Sequence, residues 1–108
     1  ALYIANAGAL GRDVRAPSPN RRVVGSTDMG NISHLVPSIH PMIASAQAGT
    51  SIHTEDFARE SKGRLADQAV IDGAKAMAMT AIDYWTSTQA QSAIREEFIQ
   101  ANTDKDVL

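Results

Sequence analysis

Cysteine is absent from the 108 residues of this chain. Its absence excludes a disulfide framework, a thiolate metal site and a cysteine nucleophile. A chain without disulfides fits the reducing cytosol, so we expect a cytoplasmic protein. Aromatic residues are also scarce, at 5% of the sequence. The core must therefore be filled largely by alanine, isoleucine, valine, leucine and methionine.

The sequence also lacks a strong charge of one sign and a long apolar run. Its net charge is −2, and its basic residues concentrate only at Arg12, Arg15, Arg21 and Arg22, which we interpret as a solvated linker. Binders of nucleic acid usually carry a clustered basic face. No apolar run approaches the roughly 20 residues of a membrane span, and no signal-peptide pattern is visible. We expect neither nucleic acid nor a membrane as a partner.

The residues that are present indicate one folded domain or part of one. Apolar residues make up 44% of the sequence and charged residues 20%, values typical of a folded globular protein. A chain of this length has room for one core. Because the sequence starts without Met and inside a helix-like segment, we expect a piece of a longer protein.

Four segments have helical patterns. Arg64 to Thr86 is the strongest, because apolar or small residues recur every four positions and predict a stripe that faces the core. Thr54 is predicted to cap a brief helix that runs to about Ser61 and ends before Gly63. The remaining predictions are a helix over residues 1–10 that ends at Gly11, and a last helix from Gln89 to Gln100 after a Ser87-Thr88 cap. The stripe consists of Leu65, Ala69, Gly73, Met77, Ala81 and Trp85, and we interpret Met77 and Met79 as core residues.

The middle of the chain predicts a strand between two loops. Gly25 to Asn31 reads as a polar turn in which Asp28 caps a short helical turn that runs through Ile32 to Val36. Ser38 to Ala46 is short and has apolar residues at both odd and even positions, as is typical of a strand buried on both faces of a sheet. Pro41 suits only the start or the edge of such a strand. Together with the helices, this strand predicts an α/β fold.

Three histidines are candidates for chemistry, at positions 34, 40 and 53, and none has a ready-made metal-ligand spacing. His53 ranks first, because it stands in the predicted loop between the strand and a helix. His40 is expected to be a core or supporting residue, and His34 a pocket wall. A serine hydrolase built on Ser26, Thr27 or Ser33 is disfavoured, since the chain has no G-x-S-x-G elbow.

Three blocks of sequence carry a resemblance to a known family: GSTDMGNISHLVPSIHP, AGTSIHT and DGAKAMAMTAID. In this order and spacing, they resemble the C-terminal part of the catalytic domain of the dinuclear-zinc amidohydrolases and peptidases. This is family twenty of the metallopeptidases, with the aminoacylases, carboxypeptidase G and the aminobenzoyl-glutamate hydrolases. The resemblance covers nearly the whole chain. It implies the C-terminal, helix-rich portion of a three-layer α/β/α domain of the zinc-exopeptidase type.

The resemblance also implies roles for particular residues. The histidine that ends the G-T-x-x-H turn is a metal ligand in that family, which places this role on His53. The G-S-T-D-x-G-N turn lies at the mouth of the metal pocket, so Asp28, Asn31 and Ser33, with His40, become substrate-binding candidates. Neutral imidazole suits Zn²⁺, which lowers the pKa of bound water to about 7. Two zinc ions per complete site are implied, with manganese or cobalt as alternatives.

The chain matches only part of the family pattern. It has no match to the H-x-D stretch, the bridging Asp or the Glu-Glu pair, and the inserted lid domain is absent. We therefore expect residues 1–108 to be a partial catalytic domain, with helix and linker in 1–24, a pocket loop, a strand and a ligand loop in 25–53, and helices in 54–108. The chain lacks most of the active site, and we expect it to be inactive alone.

The implied parent hydrolyses the amide bond of N-acyl or N-aroyl amino acids or of small peptides, and its partner is that small amide substrate. The sheet edge and the helix faces left uncovered in the partial domain favour self-association, so a homo-oligomer is a further expected state. Two alternatives stay open. One is a small non-catalytic α/β interaction module, and the other is a single-metal binder that takes a second ligand from His40 or Asp28.

Overall fold

In a computed structural model, which describes residues 1–16, 18 and 27–106, every regular element is an α-helix. The helices are α1 (Leu2–Ala9), α2 (Met29–Ile32), α3 (Glu55–Glu60), α4 (Arg64–Thr86) and α5 (Thr88–Asp106). The described chain contains no strand, so the predicted α/β fold and its three-layer α/β/α arrangement are wrong.

The segment predicted as a strand, Ser38 to Ala46, has no ladder partner among the described residues. Strands are stable only beside other strands, because each backbone N–H and C=O needs a partner across the ladder. Pro41 removes one of the donors that such a ladder would use. Ile39 and Met42 are 58% and 70% exposed, so the apolar run is not buried on both faces. Apolar composition alone therefore misidentified this segment.

The chain divides into two compact units. The first comprises Ala1–Arg15 with Met42–Ala81, and the second Ala16–Pro41 with Ile82–Leu108. The predicted linker around Pro17 and Pro19, the start of the Gly25 to Asn31 turn and Ser26 lie outside the described residues.

The first unit has a small core between α1 and α4. Tyr3 and Ala7 of α1 pack with Ala76 of α4, and Leu10 and Val14 lie against them. Ala7 and Ala76 are 0% and 1% exposed. Because alanine has no side chain beyond Cβ, these positions let the two helices come close together, and any added methyl group must displace a neighbour.

Polar side chains complete this core. Nε of Arg12 donates to Oδ2 of Asp72 at 2.9 Å, and Nε2 of Gln68 donates to Oδ1 of the same carboxylate at 2.9 Å. The hydrogen bond from Gln68 lowers the pKa of Asp72 most, and the hydrogen bond and charge of Arg12 lower it further against the opposing effect of burial. Arg12 also donates to the carbonyl of Ala44 at 3.0 Å, which fixes the start of the 42–53 segment to the residues that follow α1.

The helix boundaries largely confirm the sequence predictions. α4 runs from Arg64 to Thr86, as predicted. Gly11 follows α1 with φ +82°, a left-handed conformation that glycine adopts without strain. Ser87 caps α5 by accepting from the N–H of Ala90 at 3.1 Å. α5 continues past the predicted end at Gln100 to Asp106.

The buried face of α4 differs from the predicted stripe. Its buried residues are Ala66, Ala69, Asp72 and Ala76. Met77 and Trp85 are 57% and 73% exposed, although both were predicted to face the core. Of the buried residues, Ala76 packs against Tyr3 and Ala7 of α1, where only a small side chain fits the close contact. The pattern of large apolar residues therefore identified the helix and mispredicted its inner face.

Candidate functional site

The AGTSIHT block forms two successive turns that lead into α3. In the first, the N–H of Thr50 donates to the carbonyl of Gln47 at 3.1 Å, and Gly49 has φ +90°. Glycine is required there, because a side chain is strained at that backbone angle. In the second turn, the hydroxyl of Thr54 donates to the carbonyl of Ser51 at 2.6 Å.

Thr54 caps α3 as the sequence predicted. Its Oγ1 accepts from the N–H of Phe57 at 3.2 Å. Glu55 and Asp56 lie in the first turn, where carboxylates interact favourably with the helix dipole. The helix ends at Glu60. The boundary between the loop and α3 is therefore fixed by local hydrogen bonds.

His53 is the last residue before this cap, and it has an unusual backbone. Its φ is +59°, in the left-handed region, and no other described non-glycine residue has a positive φ. Such a conformation is uncommon outside glycine and costs energy, and it concentrates at functional positions. The imidazole is exposed to solvent. His53 therefore stands at a strained, accessible loop position, where its side chain is free to meet a ligand.

The carboxylate of Glu60 joins the first turn to the end of α3. Oε2 accepts from the backbone N–H of Gln47 at 2.6 Å, and Oε1 accepts from the hydroxyl of Thr50 at 3.1 Å. Sequence analysis missed this residue. Glu60 lies 13 positions after Gln47, and no rule of spacing connects them. An acidic residue at the end of a short helix was the only available signal.

An open groove of about 490 Å³ lies beside these turns. It is lined by residues of the first turn and of α3: Gln47, Ala48, Gly49, Thr50, Asp56, Arg59 and Glu60. Arg59 and Asp56 form an exposed ion pair at 3.3 Å. Both charges stay largely in water, so this pair contributes little to stability.

The predicted substrate-binding residues belong to the second unit, whereas His53 belongs to the first. Asp28 precedes α2 but makes no side-chain cap bond, and Thr27 accepts from the N–H of Met29 at 3.0 Å instead. Asp28 and Asn31 are exposed. The structure thus places Asp28 directly before a short helix, as predicted, but this helix ends at Ile32 and not at Val36. The side-chain hydrogen bond at its start comes from Thr27 and not from Asp28.

The remaining candidates in this unit are Ser33, His34 and His40, all of them exposed. Ser33 donates its hydroxyl to the carbonyl of Gly30 at 3.0 Å, one turn back. His34 lies in the turn after α2, and His40 lies in the irregular segment that replaces the predicted strand. His40 is therefore not a core residue.

The donor set in the described residues does not amount to a metal centre. Within residues 1–16, 18 and 27–106, no three His, Cys, Asp or Glu side chains group so as to hold a metal ion. Catalytic zinc takes three protein ligands and a water molecule. The exposed imidazole of His53 suits one of these positions, and the described chain by itself does not supply the others.

The chain is similar to two curated peptidases. It is 38% identical over 74 residues to the Xaa-Arg dipeptidase of Homo sapiens, and 38% identical over 76 residues to that of Mus musculus. Each match covers 68% of this chain and 17% of the relative. The chain thus spans about one sixth of the length of these relatives.

No protein-family model matches the chain. No solved structure matches it either. Among the helices of the described part, none is long and apolar enough to cross a membrane. The similarity to the two dipeptidases is partial, and it relates this chain to the peptidases.

Proposed function

We propose that this chain is a portion of a metal-dependent amidohydrolase or peptidase that hydrolyses the amide bond of N-acyl or N-aroyl amino acids or of small peptides. The observation that carries the proposal is the 38% identity to Xaa-Arg dipeptidases over 68% of the chain. An aligned stretch of that length always includes the central third of the sequence, and hence His53.

In this proposal His53 supplies one metal ligand. Its strained, exposed position before α3 supports that role, because backbone strain in a non-glycine residue is retained where the side chain has a task. The metal is zinc, with manganese or cobalt as alternatives, and it supplies an activated water molecule when bound. The other ligands come from outside the described residues.

The proposal gives Asp28, Asn31, Ser33 and His40 the role of contacting the small amide substrate. Their exposure supports it, since groups that bind substrate must be accessible. The Asp28 carboxylate forms no cap bond with α2. An amide substrate presents N–H and C=O groups, which carboxylate, amide and hydroxyl side chains can pair with.

Elemental analysis tests this function. The chain is purified and measured for metal, alone and after it is mixed with the remaining segment expressed separately from the same gene. We expect two metal ions per complex and amide hydrolysis to appear only on mixing. His53→Ala should lower the metal content, while His34→Ala should leave it unchanged.

Two results would contradict the proposal. If His53→Ala binds as much metal as the parent complex, His53 is not a ligand. If the chain is monodisperse and takes up no metal either alone or mixed, a non-catalytic interaction module becomes the better interpretation. Its α/β form is already excluded, so that module would be helical.

A further inference from the structure

We infer that Glu60 is the positioning residue of the His53 loop, holding the two turns against α3 so that the imidazole is presented in one orientation. This inference rests on the proposed function, in which the loop presents His53 as a metal ligand. The hydrogen bonds that carry it involve residues 47–60 alone.

Side-chain hydrogen bonds hold the loop at both of its ends. At its start, Glu60 accepts from the N–H of Gln47 and from the hydroxyl of Thr50. At its end, Thr54 accepts from the N–H of Phe57 and donates to the carbonyl of Ser51. The hydrogen bonds at both ends involve residues of α3, so His53 is confined between two points on one short helix.

The two hydrogen bonds to Glu60 constrain the first turn more strongly than those of Thr54. They join residues that are 13 and 10 positions apart, whereas the bonds of Thr54 connect neighbours three positions away. A carboxylate acceptor forms shorter and stronger bonds than a neutral oxygen, and the contact to Gln47 is 2.6 Å long. Two bonds from one planar carboxylate also fix the direction of the turn.

The confinement matters because His53 has a left-handed backbone. The left-handed conformation costs a histidine energy, and the contacts of the surrounding loop must offset that cost. When the first turn is released, residues 47–53 gain freedom, and the imidazole samples orientations that do not suit a ligand. A ligand held in several orientations binds metal more weakly, because binding must then select one of them.

The test uses four variants of the 108-residue chain. Glu60→Ala removes both bonds, and Thr50→Val removes one of them while it keeps the shape of the side chain. Ser61→Ala is the matched control, since the Ser61 hydroxyl donates only to the carbonyl of Ala58 within α3. Circular dichroism verifies that the helices are retained in each variant.

The primary measurement is amide hydrogen exchange and ¹⁵N relaxation of residues 47–54. In Glu60→Ala, we expect the amide of Gln47 to exchange about tenfold faster or more, and the order parameters of residues 47–53 to fall. Thr50→Val should give a smaller change of the same kind. Ser61→Ala should match the parent chain.

The second measurement is a Zn²⁺ titration of each variant in complex with the separately expressed remaining segment. It is followed by the imidazole resonances of His53, a readout that a purely structural role in α3 would leave unchanged. We expect Glu60→Ala to weaken Zn²⁺ binding at His53 by about threefold to tenfold. Glu60→Gln keeps one acceptor oxygen, so it should retain part of the loop order and part of the Zn²⁺ affinity that Glu60→Ala loses.

The outcomes separate this inference from the proposed function. If the loop of Glu60→Ala stays as ordered as that of Ser61→Ala, the inference is wrong, whatever the metal result. If the loop loosens while Zn²⁺ binding at His53 is unchanged, Glu60 is a structural residue only and the inference is again wrong. If the complex of the parent chain with the remaining segment shows no Zn²⁺ effect at His53, the proposed ligand fails, and Glu60 then has no imidazole to position.

Discussion

Nε of Arg12 lies 2.9 Å from Oδ2 of Asp72, although the two residues are 60 positions apart. This ion pair, part-buried in the contact between α1 and α4, is the polar complement of the alanine core around Ala7 and Ala76. Gln68 completes the environment of the carboxylate. The first unit therefore depends on a polar contact as well as on its small apolar core.

We expect Asp72→Asn to destabilise the first unit, because it leaves the Arg12 guanidinium, whose side chain is only 21% exposed, without its counter-charge. The matched control is Asp13→Asn. Asp13 pairs with Arg15 at 2.8 Å, but both side chains are largely exposed, so its loss should have little effect. Urea unfolding followed by circular dichroism measures both. Equal midpoints for the two variants would contradict the importance of the part-buried pair of Arg12 and Asp72.

The same carboxylate predicts a dependence of stability on pH. The pKa of Asp72 is lowered in the folded chain, chiefly by the hydrogen bond from Gln68 and then by Arg12. A lowered folded-state pKa gives stability that is present above the unfolded-state pKa, near 3.8, and that is lost as the pH falls through the folded value. We expect thermal midpoints to fall below about pH 4. The thermal midpoint of Asp72→Asn should fall less over this range. If it falls as much as that of the parent chain, Asp72 is not the source of this pH dependence.

The packing of α1 on α4 predicts that a larger side chain lowers the free energy of unfolding at a buried position of α4 but not at an exposed one. Ala76→Leu adds three carbon atoms where Ala76 is 1% exposed, and overpacking of this kind costs roughly 1–3 kcal/mol. Ala74→Leu is the control, because Ala74 lies on the exposed side of the same helix. Alanine and leucine have similar helix propensity, so the free energy of unfolding of that variant should change little. A similar loss in both variants would show that the burial pattern of α4 is wrong.

The backbone of His53 predicts that glycine is the most favourable residue at this position. Its φ of +59° costs an L-residue about 1–2 kcal/mol, and glycine does not incur that cost. His53→Gly should therefore be more stable than His53→Ala by about 1 kcal/mol, after part of the gain is offset by the greater freedom of glycine in the unfolded chain. Denaturant unfolding of the two variants measures the difference. A less stable glycine variant would contradict the left-handed conformation.

Much of the helical structure was readable from the sequence. α4 begins and ends where its periodicity predicted, and Thr54 and Ser87 cap the helices that follow them. These features depend on neighbours within a few positions, which is why local patterns identify them. The candidate ligand His53 was found through its place before a helix cap and through resemblance, and its left-handed backbone had no signal in the sequence.

The sequence by itself determined where the helices lie, because backbone hydrogen bonds, caps and glycine turns act over a few residues. Only the tertiary structure decided that Ser38 to Ala46 forms no strand, since a strand requires a partner that the described chain does not contain. It also decided that α4 turns alanines and Asp72 inward, and that Glu60 holds the turn before His53. These contacts join residues from 10 to 60 positions apart, and their formation depends on the close approach of whole segments, which composition and periodicity do not encode.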